Sequence, residues 1–181
     1  DGSELRTVRP GRSSSLSRIE WSRDGNLLAV GGNGGVVYCL DKRNNYQAVK
    51  MPQLEGNVWQ ISWGHTVDSL LLHHGQSRAS VIKNPLNYSL SRNLGLPSGL
   101  NNWLIPVDIS KDGKLIAYSN NQGVYVVNSE NGNNWKQIYS DEKAMFTVSF
   151  SSDGKYLAGI GGNAGLRIWE TDSWELIGET T

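Results

Sequence analysis

Apolar and polar residues alternate along short stretches of this chain, and the alternation restarts in phase several times. Ile19 and Trp21, Val107 and Ile109, and Val148 and Phe150 fall on one side of such stretches, with Glu20, Asp108 and Ser149 on the other. A period of two is that of a β-strand. Each stretch runs into the same punctuation: WSRDGNLLAVGG from Trp21, ISKDGKLIAYSNN from Ile109 and FSSDGKYLAGIGG from Phe150. The shared grammar of apolar residue, Ser, any residue, Asp-Gly, then two large residues and Ala predicts a strand, a tight turn and a second strand. In that turn, Ser22, Ser110 and Ser151 lead, Asp24, Asp112 and Asp153 bond nearby amides, and Gly25, Gly113 and Gly154 take a positive φ at little cost. These six Asp and Gly residues are expected to be structural.

A fourth copy keeps Trp59, Ile61 and Trp63 in phase but replaces the Asp-Gly turn with residues 64–68. Trp21, Trp63, Ile109 and Phe150 are 42, 46 and 41 residues apart. Each repeat holds four strand-like runs: 16–22, 27–31, 36–40 and 46–50; then 58–63, 69–73, 79–83 and 88–91; then 105–109, 115–119, 124–127 and 135–139; and last 146–150, 156–160, 166–169 and 174–177. A four-stranded unit repeating every ~40 to 45 residues predicts an all-β propeller, here four consecutive antiparallel blades. The boundaries expected are 16–51, 58–92, 104–140 and 145–179. Residues 1–15 are read as the outer strand of a preceding blade plus a loop, because DGSELRTV from Asp1 matches DSWELIGE from Asp172 in phase. Four first-to-third strand sets with five fourth strands predict a piece of a larger ring, prone to self-association when expressed as this segment.

The pattern resembles the WD-repeat β-propeller family, with Ile168-Trp169-Glu170 standing where that family has its Trp-Asp pair. Cys39, Ile82 and Val127 are aligned with Trp169 in the other repeats. No repeat has the family's Gly-His pair ahead of the first strand, so the hydrogen-bonded tetrad of typical members is not expected. The resemblance implies a protein-interaction or scaffolding module whose partners are other proteins or flanking domains of the same chain. The alternative it implies is a propeller capping or carrying a peptidase or glycosidase active site.

Composition adds little to this picture. The 181 residues are 38% hydrophobic and 19% charged, which is ordinary for a globular domain. With 17 basic and 17 acidic residues, the net charge is zero and neither nucleic acid nor an anionic membrane is indicated. No apolar run approaches the ~18 residues of a membrane span and no signal peptide is visible. The lone cysteine, Cys39, is expected to be a small buried hydrophobe; it excludes an intrachain disulfide and favours a reducing, cytoplasmic setting.

Candidate chemistry is sparse, and no catalytic residue, cofactor or metal is expected. Gly159 to Ala164 spells a dinucleotide fingerprint, but the alternating Leu-Arg-Ile-Trp after it leaves no helix N-terminus for a pyrophosphate. His73 and His74 are neighbours in a strand, so they point to opposite faces and cannot share one metal ion. Glu20 and Asp108 share the polar side of the innermost strands, where paired carboxylates could serve glycoside hydrolysis; Ser62 and Ser149 fill the same column elsewhere, which favours structural use. Trp21, Trp59, Trp63 and Trp169 are expected in the core. Trp103, in the longest connection, is the aromatic best placed for a partner. With Arg12, Asn57, Leu100 and Met145 it precedes a first strand, so the five are expected near one channel mouth as a candidate partner-binding face.

Overall fold

The computed structural model describes residues 15–64, 69–75, 78–87, 90–95, 107–120, 122–130, 136–140, 145–162 and 164–180, residues 90–95 by their backbone alone. They form four separate four-stranded sheets, each antiparallel and each in chain order. The first sheet holds β1 (Leu16–Trp21), β2 (Leu27–Gly32), β3 (Val37–Asp41) and β4 (Gln47–Lys50), and the second β5 (Val58–Trp63), β6 (Ser69–His74), β7 (Arg78–Lys83) and β8 (Leu90–Gly95). The third holds β9 (Val107–Ile109), β10 (Leu115–Asn120), β11 (Gly123–Asn128) and β12 (Lys136–Ser140), and the fourth β13 (Thr147–Phe150), β14 (Tyr156–Gly161), β15 (Gly165–Glu170) and β16 (Leu176–Thr180).

The repeated turn is built identically three times. In the first copy the Ser22 hydroxyl donates to Asp24 Oδ1 at 2.6 Å and accepts from Leu27 N at 2.8 Å, while Asp24 Oδ1 also accepts from Asn26 N at 3.0 Å. Ser110 with Asp112 and Ser151 with Asp153 repeat these bonds to within 0.1 Å. The glycines that complete the turns have φ of +68°, +72° and +79°, a conformation that an L side chain resists. Hydrogen bonds hold the turn carboxyls below their ordinary range, from Ser22 on Asp24 and from Ser151 on Asp153.

Three apolar clusters lie between the sheets. Leu27, Ala29, Val37 and Cys39 of the first meet Ile61, Trp63, Leu70 and Ile82 of the second. Leu71 and Val81 meet Ile109, Ile116, Tyr118 and Val127 of the third, and Ala117 and Val126 meet Phe150, Leu157 and Trp169 of the fourth. Sheets sandwiched in this way bury both faces of their middle strands, so SLLLHH and GVYVVN read as nearly continuous apolar runs rather than alternating ones. Inner strands pack β1 on β5, β5 on β9 and β9 on β13, and among the described residues β13 has no comparable packing on β1.

Left-handed residues delay two strands relative to their sequence pattern. Tyr46 and Trp174 have φ of +57° and +60°, and their amides close turns on Asp41 O and Glu170 O; β4 and β16 therefore begin after these aromatics. The turn at Asn84 is closed by Asn87 N on Asn84 O at 2.8 Å, and β8 pairs with β7 over Leu90–Gly95. The glycine-rich run at 159–164 is the end of β14 and a hairpin turn, with Gly161 opposite Gly165.

Candidate functional site

The inner strands line the channel side, and their polar side chains stitch each sheet to the next. Arg18 Nε donates to Trp59 O at 2.6 Å, and Trp63 Nε1 donates back to Glu20 O at 3.0 Å. Gln60 grips the main chain of Val107 from both sides, Nε2 donating to its O at 2.6 Å and Oε1 accepting from its N at 3.1 Å. Asp108 Oδ2 accepts from Phe150 N at 2.8 Å and from Ser149 Oγ at 3.1 Å, while Oδ1 accepts from Ile109 N at 2.9 Å. Every junction thus has a side chain satisfying main-chain groups that would otherwise lack a partner.

Both candidate carboxylates belong to this stitching. Burial pushes the Glu20 carboxyl up to about 7, opposed by a hydrogen bond from the Trp63 main chain and reinforced by the charge of Asp108. Burial also raises Asp108, against the Phe150 and Ile109 amides that favour its charged form. Three of the Asp108 acceptor sites are committed to two amides and a hydroxyl, as suits a clamp between blades.

Of the proposed partner face, Arg12, Leu100 and Trp103 lie outside the described residues. Asn57 is half-buried, and its Oδ1 accepts from Gly34 N at 3.0 Å, tying the turn between β2 and β3 to the start of β5. Met145 is only 2% exposed and packs in the third cluster, so it belongs to the junction between the third and fourth sheets and is not available to a partner. His73 and His74 do point to opposite faces: His74 lies between Glu55 O and Ser80 Oγ, at 3.0 and 2.8 Å. No group of three potential metal ligands occurs among the described residues.

Two tryptophans expected in the core are not there. Trp63 and Trp169 are buried, but Trp59 is 36% exposed, because the pairing of β5 with β6 slips between Val58 and Gln60 and Trp59 stands in the resulting bulge. A bulge turns its extra residue away from the ladder. The Trp59 indole is pinned there by Nε1 donating to Gly75 O at 2.6 Å. Sequence alternation counted through the bulge and so assigned Trp59 to the wrong side.

Trp21 is exposed for a different reason. It occupies the same first-strand position as Trp63, Ile109 and Phe150, which are 3%, 1% and 7% exposed, yet it is 45% exposed. Those three residues each have a preceding sheet against them, and Trp21 has none among the described residues. The far end mirrors this: Tyr156 and Ile160 are exposed, whereas the equivalents of Ile160, namely His73 and Ser119, are buried under the next sheet. Among the described residues no sheet stands against the Trp21 side of the first sheet or the Ile160 side of the fourth, although Val30, Tyr38 and Leu40 on the Trp21 side are themselves buried.

Comparison with known proteins agrees with this geometry. Residues 2–41 match the family described as WD40: WD domain, G-beta repeat. Over 166 residues, 86% of this chain, it is 22% identical to the anaphase-promoting complex subunit cdc20 of Dictyostelium discoideum. Its fold superimposes with a TM-score of 0.73 on a chain in the crystal structure of the mitotic checkpoint complex, at 17% identity and over 94% of this chain. The fold is that of consecutive β-propeller blades, similar to those of WD-repeat proteins. The chain spans 32% of the length of that curated relative and 52% of that solved chain.

Blade register also corrects one alignment. Trp169 pairs with Leu157, Ile82 with Leu70 and Val127 with Ile116, and the matching pair in the first blade is Leu40 with Leu28. Leu40, not Cys39, holds the tryptophan position, and Leu40-Asp41, where the family match ends, stands in place of the Trp-Asp pair. Asp41 caps the following turn by accepting from Arg43 N at 2.9 Å and pairs with the Arg43 guanidinium. Cys39 faces the second blade, and burial pushes its thiol up to about 12, as a buried apolar filler requires.

Proposed function

We propose that this chain is a non-enzymatic protein-interaction module, four blades of a larger propeller whose open faces are covered by further blades of the same kind. Trp59 carries the reading for interaction. It is a large aromatic turned out at the strand end that also bears the candidate loops, with its indole already held by Gly75; a preorganised exposed aromatic is the usual anchor of an interface. The similar proteins are named for multiprotein assemblies, which is the setting proposed here. Asn57 lies two residues before Trp59, and the proposed partner face extends to Arg12, Leu100 and Trp103 of the loops that precede first strands. Ring closure follows from Trp21 and Ile160, whose equivalents elsewhere are buried by a neighbouring blade. The reading takes no cofactor and favours a cytoplasmic location; among the described residues no helix is long and apolar enough to cross a membrane.

The test is affinity capture with the intact polypeptide and its Trp59→Ala and Trp103→Ala variants, alongside a screen of peptide and glycoside substrates. Loss of a captured protein with an unchanged melting transition supports the proposal. Capture indifferent to both substitutions, or substrate turnover abolished by Asp108→Asn, overturns it.

A further inference from the structure

The junction between the second and third blades differs from the other two in carrying buried polar atoms with nothing to bond. Among the described residues, His73 Nε2, Tyr118 Oη and Asn120 Nδ2 have no hydrogen-bond partner. Their positions put all three in that one junction. His73 lies two residues from Leu71 and opposite Ala79, both members of the cluster that contains Tyr118 and Tyr125. It also pairs with Gln60, whose side chain grips Val107, and Val107 pairs with Tyr118. Asn120 follows Tyr118 by two residues in β10 and so shares its face. Its Oδ1 accepts from Gln122 N at 2.8 Å, which leaves the amide nitrogen over.

The other junctions treat the position of His73 differently. In the first blade it is Gly31, where an added Cβ would come within 3.0 Å of Val58 and 3.2 Å of Ile61, so the two blades are in direct contact. In the third blade it is Ser119, whose hydroxyl donates to Met145 O at 3.2 Å. Between the second and third blades, by contrast, His73 enters at this level from one side and Tyr118 and Asn120 from the other. Burial lowers the imidazole of His73 to about 4 and raises the Tyr118 phenol, so near neutrality both are uncharged groups seeking neutral partners. Buried polar atoms of native proteins are bonded, to protein or to ordered water, in nearly every case.

We propose that internal water is held between the second and third blades, bridging His73 Nε2, Tyr118 Oη and Asn120 Nδ2. The amide donates to it, the phenol donates or accepts, and the imidazole nitrogen takes whichever role its tautomer leaves. The water joins the blades at a site that neither the apolar cluster nor the Gln60 clamp reaches.

The sign of a conservative substitution separates bridged from orphaned groups. If Tyr118 Oη is bonded to held water, Tyr118→Phe in the intact polypeptide lowers the Tm by about 2–4 °C, His73→Leu lowers it as well, and the double variant loses little more than the worse single one because both break the same bridge. A Tm unchanged or raised by Tyr118→Phe overturns the proposal, since deleting an orphaned hydroxyl is a relief; so do strictly additive losses. Oxygen-17 relaxation dispersion, which counts long-lived internal waters, gives a second readout: a smaller count in Tyr118→Phe supports the bridge, and an unchanged count refutes it.

Discussion

Three copies of one turn in different surroundings allow backbone strain to be separated from steric contact. Gly25, Gly113 and Gly154 have φ of +68°, +72° and +79°, so substitution by Ala imposes nearly the same conformational cost at each, about 1–2 kcal/mol. Reduced freedom of the unfolded chain returns about 0.4–1 kcal/mol, leaving a net loss of about 1 kcal/mol. The surroundings then divide the three. A Cβ at Gly25 meets nothing within 4 Å, one at Gly113 meets Ser69 Oγ at 3.5 Å, an ordinary contact, and one at Gly154 meets Lys111 Cβ at 3.0 Å. Lys111 Cβ is fixed to the main chain of the preceding blade's turn and cannot swing aside, so Gly154→Ala should cost roughly 1 kcal/mol more, about 2 in all. In thermal and denaturant unfolding of the intact polypeptide, Gly25→Ala and Gly113→Ala should each lower the Tm by about 2–4 °C, and Gly154→Ala by about 4–8 °C. Gly154→Val should exceed both, because a β-branched residue resists positive φ further. Equal losses at all three sites would refute the contact, and a Gly154→Val variant as stable as the parent would refute the strain.

Trp63→Ala should cost about 3–5 kcal/mol in denaturant unfolding, and Trp21→Ala should match it in the intact polypeptide if a preceding blade covers Trp21; a loss of under about 1 kcal/mol there would leave the face open. Asp108→Ala strands Phe150 N at the junction of the third and fourth blades, an expected loss of about 1–3 kcal/mol, and amide exchange at Phe150 should accelerate; slow exchange would show that another acceptor serves it. Glu20 holds its proton more tightly folded than unfolded, with a folded value of about 7 against an ordinary 4.5. Its contribution is therefore most favourable below about pH 4.5, declines as pH rises, and is a full penalty above about 7. Glu20→Gln should stabilise the protein at pH 8 by about 1 kcal/mol, the full shift being discounted for partial solvation, and have little effect at pH 4; a larger gain at pH 4 would reverse the assignment.

Sixteen strands, the Ser-Asp-Gly turns and the repeat spacing were all legible in the sequence, because each is a local property. A turn needs one serine, one aspartate and one glycine at fixed offsets, and a strand needs alternation over five or six residues. Local reading failed where a single residue breaks the count. The bulge at Trp59 put an expected core residue on the surface, and left-handed Tyr46 and Trp174 delayed two strands that hydrophobicity alone would start early. Register across a sheet had the same character, since Leu40 and Cys39 are adjacent in an unbroken apolar run and only their partners on β2 tell which one holds the tryptophan position.

Tertiary structure alone decided the rest. That Asp108 clamps Phe150, that Gln60 grips Val107, and that Met145 is sealed between blades are facts about residues 42, 47 and 26 positions from their partners, and no local pattern encodes them. The same holds for burial: Trp21 and Trp63 sit in equivalent positions of equivalent strands, and Trp63 is buried because the first blade packs against it. Sequence determines what a blade is; which of its faces is covered depends on what stands beside it.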